Sequence, residues 1–222
     1  QYKGYYKNKD LPTQTIINEN GLLLHVDVEN GQKTGYFLDQ KSNRYLLRKI
    51  AHGKRVVDCF SHTGGFALNA AMGNASHVVS VDVSKTALDQ GYQNAKLNHL
   101  EEKIDFVQAD VFDYLDELKE NEFDIIVLDP PAFTKSRRTV QKAYNGYKRI
   151  NKQAMKVLKN GGYLITCSCS RFMETANFEK MLREAASEAG VVLNLRSAFP
   201  CPFLSEYEPA QYPSYIQRSD GA

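Results

Sequence analysis

The sequence predicts an α/β fold: a doubly wound, mostly parallel sheet with a C-terminal antiparallel strand, preceded by a small β-hairpin. Three observations carry the parallel α/β core. From residue 56 onward, short apolar runs alternate with stretches of helical periodicity, as successive βα units do. Val56-Val57-Asp58-Cys59-Phe60-Ser61-His62-Thr63-Gly64-Gly65-Phe66 feeds a strand into a helix through a glycine turn, leaving free backbone N–H groups and room for a ligand to approach. The run 123–128 is apolar in the manner of a strand buried on both faces.

The elements follow in order. Runs 14–17 and 22–28 flank Asn18-Glu19-Asn20-Gly21, an Asn-Gly turn that tolerates positive φ, and read as a hairpin. Before it, Tyr2, Tyr5 and Tyr6 lie among lysines. They read either as a nucleic-acid surface or, in preference, as the cut end of a longer protein. A helix over 41–50 places Tyr45, Leu46 and Ile50 on one face. Gln40 and Arg44, four apart, share a face that lines a pocket or is simply solvated. Beyond the glycine turn a helix runs to Met72, and a strand over 77–81 ends in Asp82. Ser84 caps a helix to about 97, a strand over 104–108 leads to Asp110, and a helix covers 111–119. Strand 123–128 stops at Asp129-Pro130-Pro131. A basic linker and helix lead to Gly161-Gly162, read as a helix stop. Strand 163–166 enters Cys167-Ser168-Cys169-Ser170, helix 178–189 closes at Gly190, and a strand covers 191–195. The tail, with Pro200, Pro202, Pro209 and Pro213, reads as loop with a last strand near 215–216.

Composition narrows the function classes. A chain of 222 residues that is 42% hydrophobic and 24% charged is an ordinary globular protein. No apolar run is of membrane-spanning length and residues 1–10 are not signal-like, so a cytoplasmic protein without membrane partners is expected. Four cysteines without repeated spacing make neither a disulfide framework nor a metal site. The net charge of +2 is unevenly spread. No Asp or Glu occurs over 130–173, where Lys135, Arg137, Arg138, Lys142, Lys148 and Arg149 fall. That polarity suits an anionic partner.

In a parallel sheet, ligands gather at the carboxyl ends of the strands. Asp58 with its glycine turn, Asp82, Asp110 and Asp129 all fall there. The turn is not G-x-G-x-x-G, so a nucleoside fits better than a dinucleotide. Asp82 is suited to a ribose diol and Asp110 to an adenine amine, although each could equally cap the helix after it. In Asp129-Pro130-Pro131-Ala132-Phe133 the prolines remove donors and fix φ, so the carbonyls can accept from a planar base while Phe133 stacks on it; the alternative is a rigid loop with Phe133 in the core. Cys59 and Cys167 read as buried packing and Cys201 as nothing specific. Cys169, beside serines and Arg171, is a nucleophile or an inert thiol at even odds, a nearby cation favouring thiolate.

Four ordered motifs then resemble a known family: residues Gly31-Gln32-Lys33-Thr34-Gly35-Tyr36-Phe37-Leu38-Asp39-Gln40, Asp58 to Phe66, Asp129 to Phe133, and Thr166 to Ser170. They resemble the class I S-adenosylmethionine methyltransferases of the RlmI type, which methylate C5 of a cytosine in large-subunit ribosomal RNA during rRNA processing. The resemblance is strong over 31–170. It implies a Rossmann-like methyltransferase domain over 39–222, its last strand antiparallel, with 1–38 as the hairpin remnant of a middle domain and an N-terminal PUA-type RNA-binding domain missing from the sequence. It implies S-adenosylmethionine held by Gln40, Asp58, Phe60, Ser61, Thr63, Gly64, Asp82, Val83, Asp110, Val111 and Asp129. Cys169 would be the nucleophile, with Asp129 at the N3 edge of the base. Pro130 and Phe133 would meet the substrate, and Lys135, Arg137, Arg138, Lys142, Lys148 and Arg149 the phosphates of ribosomal RNA. Two rivals stay open: methylation of an amino group without a nucleophile, and a non-catalytic RNA-binding protein on the same fold.

Overall fold

The computed structural model describes residues 12–31, 35–134, 136–170, 172–197 and 214–219. Tyr2, Tyr5, Tyr6, Lys135, Arg171, Cys201, the four tail prolines and the side chain of Arg137 lie outside the described residues. A hairpin of β1 (Gln14–Glu19) and β2 (Leu22–Asp27) comes first, closed by Asn20 and Gly21, both at positive φ. Helix α1 (Lys41–Ile50) then leads into the main sheet. Its parallel strands are β3 (Arg55–Cys59), β4 (His77–Asp82), β5 (Ile104–Gln108), β6 (Phe123–Leu128) and β7 (Leu158–Thr166). They are linked by α2 (Gly65–Met72), α3 (Lys85–Leu97), α4 (Val111–Glu117) and α5 (Val140–Val157). Helix α6 (Thr175–Ala189) and β8 (Val192–Ser197) follow, and β9 (Ser214–Ser219) slots antiparallel between β7 and β8.

The sheet order is β5-β4-β3-β6-β7-β9-β8, so the strand order reverses between β3 and β6. That reversal opens a crevice beyond their carboxyl ends, where ligands of such folds bind. Strand alternation divides the core. Val57, Cys59, Ile126 and Leu128 face α4, α5 and α6, whereas Val56, Ile125 and Val127 face α2 and the hairpin. Both sets are almost wholly buried, which explains why the central strands are apolar at nearly every position. Leu22, Leu24 and Val26 of β2 belong to the second core together with Leu47, Leu68 and Ile165. Truncating a fully buried leucine such as Leu24 to alanine costs about 2–5 kcal/mol.

Two boundaries move. Helix α5 ends at Val157, before Gly161-Gly162, and β7 begins at Leu158. The register jumps from Phe123↔Leu158 to Ile125↔Tyr163, so 159–162 loop out of the ladder. Gly161 takes φ +74, and a Cβ on Gly162 would sit 2.8 Å from two backbone oxygens. The glycine pair therefore makes a bulge rather than a helix stop. Helix α6 starts at Thr175, three residues earlier than its apolar periodicity shows.

Candidate functional site

The turn after β3 is built by left-handed backbone. Phe60 (φ 61), His62 (φ 49) and Gly64 (φ 77) fold it back so that Gly64 caps α2. Ser61 is buried, donates its N–H to the Val81 carbonyl at 3.0 Å, and its hydroxyl accepts from Ser80 Oγ at 2.8 Å. Asp58 is fully buried and accepts from Ala67 N at 2.9 Å through Oδ2, in the first turn of α2. Its Oδ1 has no protein partner. Burial pushes the Asp58 carboxyl up to about 8; the Ala67 N–H opposes this, Asp129 and Asp82 add to it, and Arg44 relieves it.

Asp82 does not cap α3, since Ser84 does that by accepting from Ala87 N. Instead its two oxygens accept from His62 N (2.9 Å) and Ser84 N (2.8 Å), joining the end of β4 to the glycine turn. Val83 beside it is 61% exposed, a large apolar side chain at the crevice. Asp110 is exposed and does cap α4, its Oδ1 accepting from Phe112 N at 2.8 Å. The Val111 side chain is in the core, so a cofactor could meet only its backbone. Thr63 is half-buried and its carbonyl accepts from Asn94 Nδ2 at 3.5 Å.

Gln40 and Arg44 are not a solvated face: both are buried, at 1% and 2% exposure. The Gln40 carbonyl oxygen Oε1 accepts from Asn43 Nδ2 at 2.6 Å, and Gln40 also bonds the buried Cys167 thiol. Burial, with Asp129 adding, drives that thiol well above its ordinary pKa, so Cys167 stays neutral. Cys59 is buried and likewise neutral.

On the other side of the crevice, Asp129 is half-buried and Pro130 buried. Asp129 N donates to Cys59 O at 3.5 Å, and Cys167 N to Leu128 O at 2.8 Å. Cys169 is half-buried and its thiol donates to Pro130 O at 3.5 Å. The Phe133 ring lies 4.5 Å from that of Tyr147 and 6.1 Å from Phe112, over Gly146, so it packs against α5 and the core, as the rigid-loop alternative had it. Tyr147 is wholly buried and its hydroxyl bonds Ser170 Oγ at 2.9 Å. Ser170 falls in the motif that ends β7, but no motif marked Tyr147. Only the periodic burial of α5 points to the tyrosine.

The basic segment is less open than its composition suggests. Lys148 pairs with Glu188 (2.9 Å) and Glu184 (3.7 Å), and Lys152 with Glu188 (3.0 Å), all from α6. Arg149 pairs with Asp116 at 2.8 Å and covers the Phe112 ring. Arg138 and Lys142 are exposed. The chain has acidic residues outside 130–173, and the fold brings them to this helix.

The crevice fits a nucleoside cofactor: a buried orphan oxygen on Asp58, a braced carboxylate at Asp82 and an exposed apolar residue at Val83 converge on one glycine turn. Among the described residues no group of side chains could hold a metal ion, and no helix is long and apolar enough to cross a membrane.

Comparison with known proteins agrees. Two curated proteins named ribosomal RNA large subunit methyltransferase I are similar. That of Aeromonas salmonicida is 47% identical over 82% of this chain and 47% of its own length. That of Cronobacter sakazakii is 42% identical over 90% of this chain and 52% of its own. The chain thus spans about half the length of these relatives. A solved Streptococcus mutans structure assigned as a SAM-dependent methyltransferase superposes with a TM-score of 0.77 at 28% identity, over 94% of this chain and 56% of that one. The TYW2 protein of M. jannaschii, solved with AdoMet, shares the fold (TM-score 0.67, 20% identity, 94% and 86% covered). A family model described as S-adenosylmethionine-dependent methyltransferase matches residues 5–211, and this chain, with its glycine turn and ordered strand-end carboxylates, belongs to that family.

Proposed function

We propose that the chain carries the catalytic part of an enzyme that methylates C5 of a cytosine in large-subunit ribosomal RNA through a covalent bond between Cys169 and C6 of the base. The observation that carries this reading is the contact of the Cys169 thiol with the Pro130 carbonyl, which brings the nucleophile and the loop after Asp129 to one wall of the crevice. The names of the relatives support the RNA class.

S-adenosylmethionine, when bound, supplies an electrophilic methyl group. Asp82 would accept from its ribose hydroxyls with lone pairs left after bracing the turn, Val83 would cover the adenine, and Asp110 would offer its second oxygen to the adenine amine. Phe60, Ser61, Thr63 and Gly64 shape the floor, with Gln40, Asp58 and the Val111 backbone behind it. On the substrate side, the Cys169 thiolate bonds to C6 and the C5–C6 π electrons move to C5 and toward N3, where Asp129 in its acid form hydrogen-bonds or gives its proton to N3 as negative charge develops. C5 would then take the methyl as its bond to the sulfonium sulfur breaks, leaving S-adenosylhomocysteine. A general base would accept the C5 proton, and the freed electron pair would re-form the C5–C6 double bond and expel the Cys169 thiolate. Pro130 and Phe133 border the base, and Lys135, Arg137, Arg138 and Lys142 are the phosphate contacts. The target base leaves its stack to enter, which is cheapest from a single-stranded loop.

The test is mass spectrometry of the protein incubated with S-adenosylmethionine and rRNA containing 5-fluorocytosine, whose fluorine blocks the final elimination. An adduct on Cys169 is expected. Methylation of unmodified RNA with no adduct would overturn the thiolate role and leave the amino-group chemistry.

A further inference from the structure

The hairpin reaches the turn between β3 and α2 in two places, by a buried ion-pair cluster packed against it and by an asparagine that bridges to it. On one side Glu19, the last residue of β1, accepts from Arg44 Nε (2.7 Å), Arg44 Nη2 (2.6 Å) and the Tyr36 hydroxyl (3.2 Å). The guanidinium lies 4.5 Å above the Tyr36 ring. All three residues are buried. The cluster abuts the glycine that opens α2: a Cβ on Gly65 would stand 3.1 Å from Arg44 Cδ and 3.2 Å from the Tyr36 hydroxyl. On the other side Asn94 of α3 accepts from His25 N at 2.9 Å and donates to the Thr63 carbonyl at 3.5 Å. Asn98, one turn on, accepts from Leu23 N and donates to Leu23 O. The two asparagines stand in for a neighbouring strand along β2, and one of them reaches the turn.

Attachment alone does not call for these bonds. Leu22, Leu24 and Val26 already bury the hairpin in the core, and a buried ion pair is often no more stabilising than apolar residues of the same volume. The turn itself does call for them. Phe60 and His62 hold left-handed backbone that costs a non-glycine residue energy and persists only where its surroundings over-determine it. The hairpin's bridges end on Thr63 and against Gly65, directly after those two residues.

We propose that Glu19, Arg44 and Asn94 are positioning residues for the cofactor: through them the hairpin holds the turn 60–65 in the shape that receives S-adenosylmethionine. This rests on the assignment of the cofactor and not on the RNA chemistry. It makes the hairpin a working part of the cofactor site.

The experiment measures S-adenosylhomocysteine affinity by calorimetry, with thermal melting alongside, in the full chain. Three variants are compared: the volume-matched pair Glu19→Gln with Arg44→Met, the single change Asn94→Ala, and Leu24→Ala, which loosens the hairpin core without touching either bridge. The pair and Asn94→Ala are each expected to weaken binding about ten-fold, in line with the effect of small misplacements at binding sites. Leu24→Ala is expected to lower the melting temperature while leaving affinity within about two-fold. Parental affinity in Asn94→Ala and in the folded pair would overturn the proposal, and so would an equal loss in Leu24→Ala. If the pair does not fold, Asn94→Ala against Leu24→Ala decides. A parent chain that fails to bind S-adenosylhomocysteine would instead break the cofactor assignment.

Discussion

The two halves of the sheet's carboxyl edge are held in different ways. At β3 and β4 the strand-end carboxyl groups are braced by backbone N–H groups close in the fold: Asp82 by His62 and Ser84, Asp58 by Ala67. At β6 and β7 the loops 129–133 and 167–170 are aligned by side chains from elsewhere. Tyr147 of α5 packs on Phe133 and bonds Ser170, and the Cys169 thiol reaches across to Pro130. The carboxylates of the first half are braced by backbone groups of a turn that the hairpin steadies, whereas the second half depends on how α5 docks. It follows that binding of the cofactor and chemistry on the substrate should separate under mutation.

The largest effect tests that separation directly. Cys169→Ala is expected to lower methyl transfer by about a thousand-fold or more, as removal of a covalent nucleophile does, with S-adenosylhomocysteine affinity unchanged. Asp82→Ala should do the reverse. It removes the brace on His62 N and the proposed acceptor for the ribose, and should weaken S-adenosylhomocysteine about ten- to a hundred-fold by calorimetry, an order of 1–3 kcal/mol. Comparable loss of affinity in Cys169→Ala would show that the halves are one unit.

The same contrast governs what the sequence makes legible. The alternation of strands and helices follows from apolar runs and turn chemistry, and Asp58, Asp82, Asp110 and Asp129 stand out as candidates because each lies at or just beyond the carboxyl end of a strand. Local rules reach that far. They do not reach Glu19, whose partners Arg44 and Tyr36 come from other segments, nor Asn94, which reads as a plain polar residue of α3 until β2 lies beside it. Arg44 was noticed only as one of a polar pair, and its burial depends on a carboxylate 25 positions away in sequence. The basic stretch misled for the same reason: Glu184 and Glu188, which neutralise part of it, follow in α6. The glycines at 161 and 162 read as a helix stop but form a bulge inside β7, a role set by the pairing of β6 with β7.

A smaller effect, confined to the cofactor half, comes from Asp58. Its carboxyl, raised by burial to about 8, holds its proton more tightly in the folded than in the unfolded chain. Stability from this group is therefore fully present below the ordinary value of 3.8 and is lost as pH rises toward 8. Asp58→Asn removes the titration. Its stability relative to the parent should rise between pH 4 and pH 8 by on the order of a few kcal/mol, read from urea melts at each pH. Parallel curves for parent and variant would remove Asp58 as the source.

The smallest effect sharpens the substrate half. Lys142 is exposed, whereas Lys148 is held by Glu188 and Glu184, whose negative charge raises its pKa and occupies the ammonium. A lysine already paired releases little on meeting a phosphate, because it must first give up its carboxylates. Counterion release then comes from Lys142 and not from Lys148. For the RNA on which the adduct is mapped, Lys142→Ala should reduce the slope of log affinity against log salt by about 0.7–0.9 and weaken binding evenly across sequences. Lys148→Ala should leave the slope unchanged. An equal reduction in both would mean that α6 gives up its pairs when RNA arrives, so that the basic face is created by the substrate instead of presented to it.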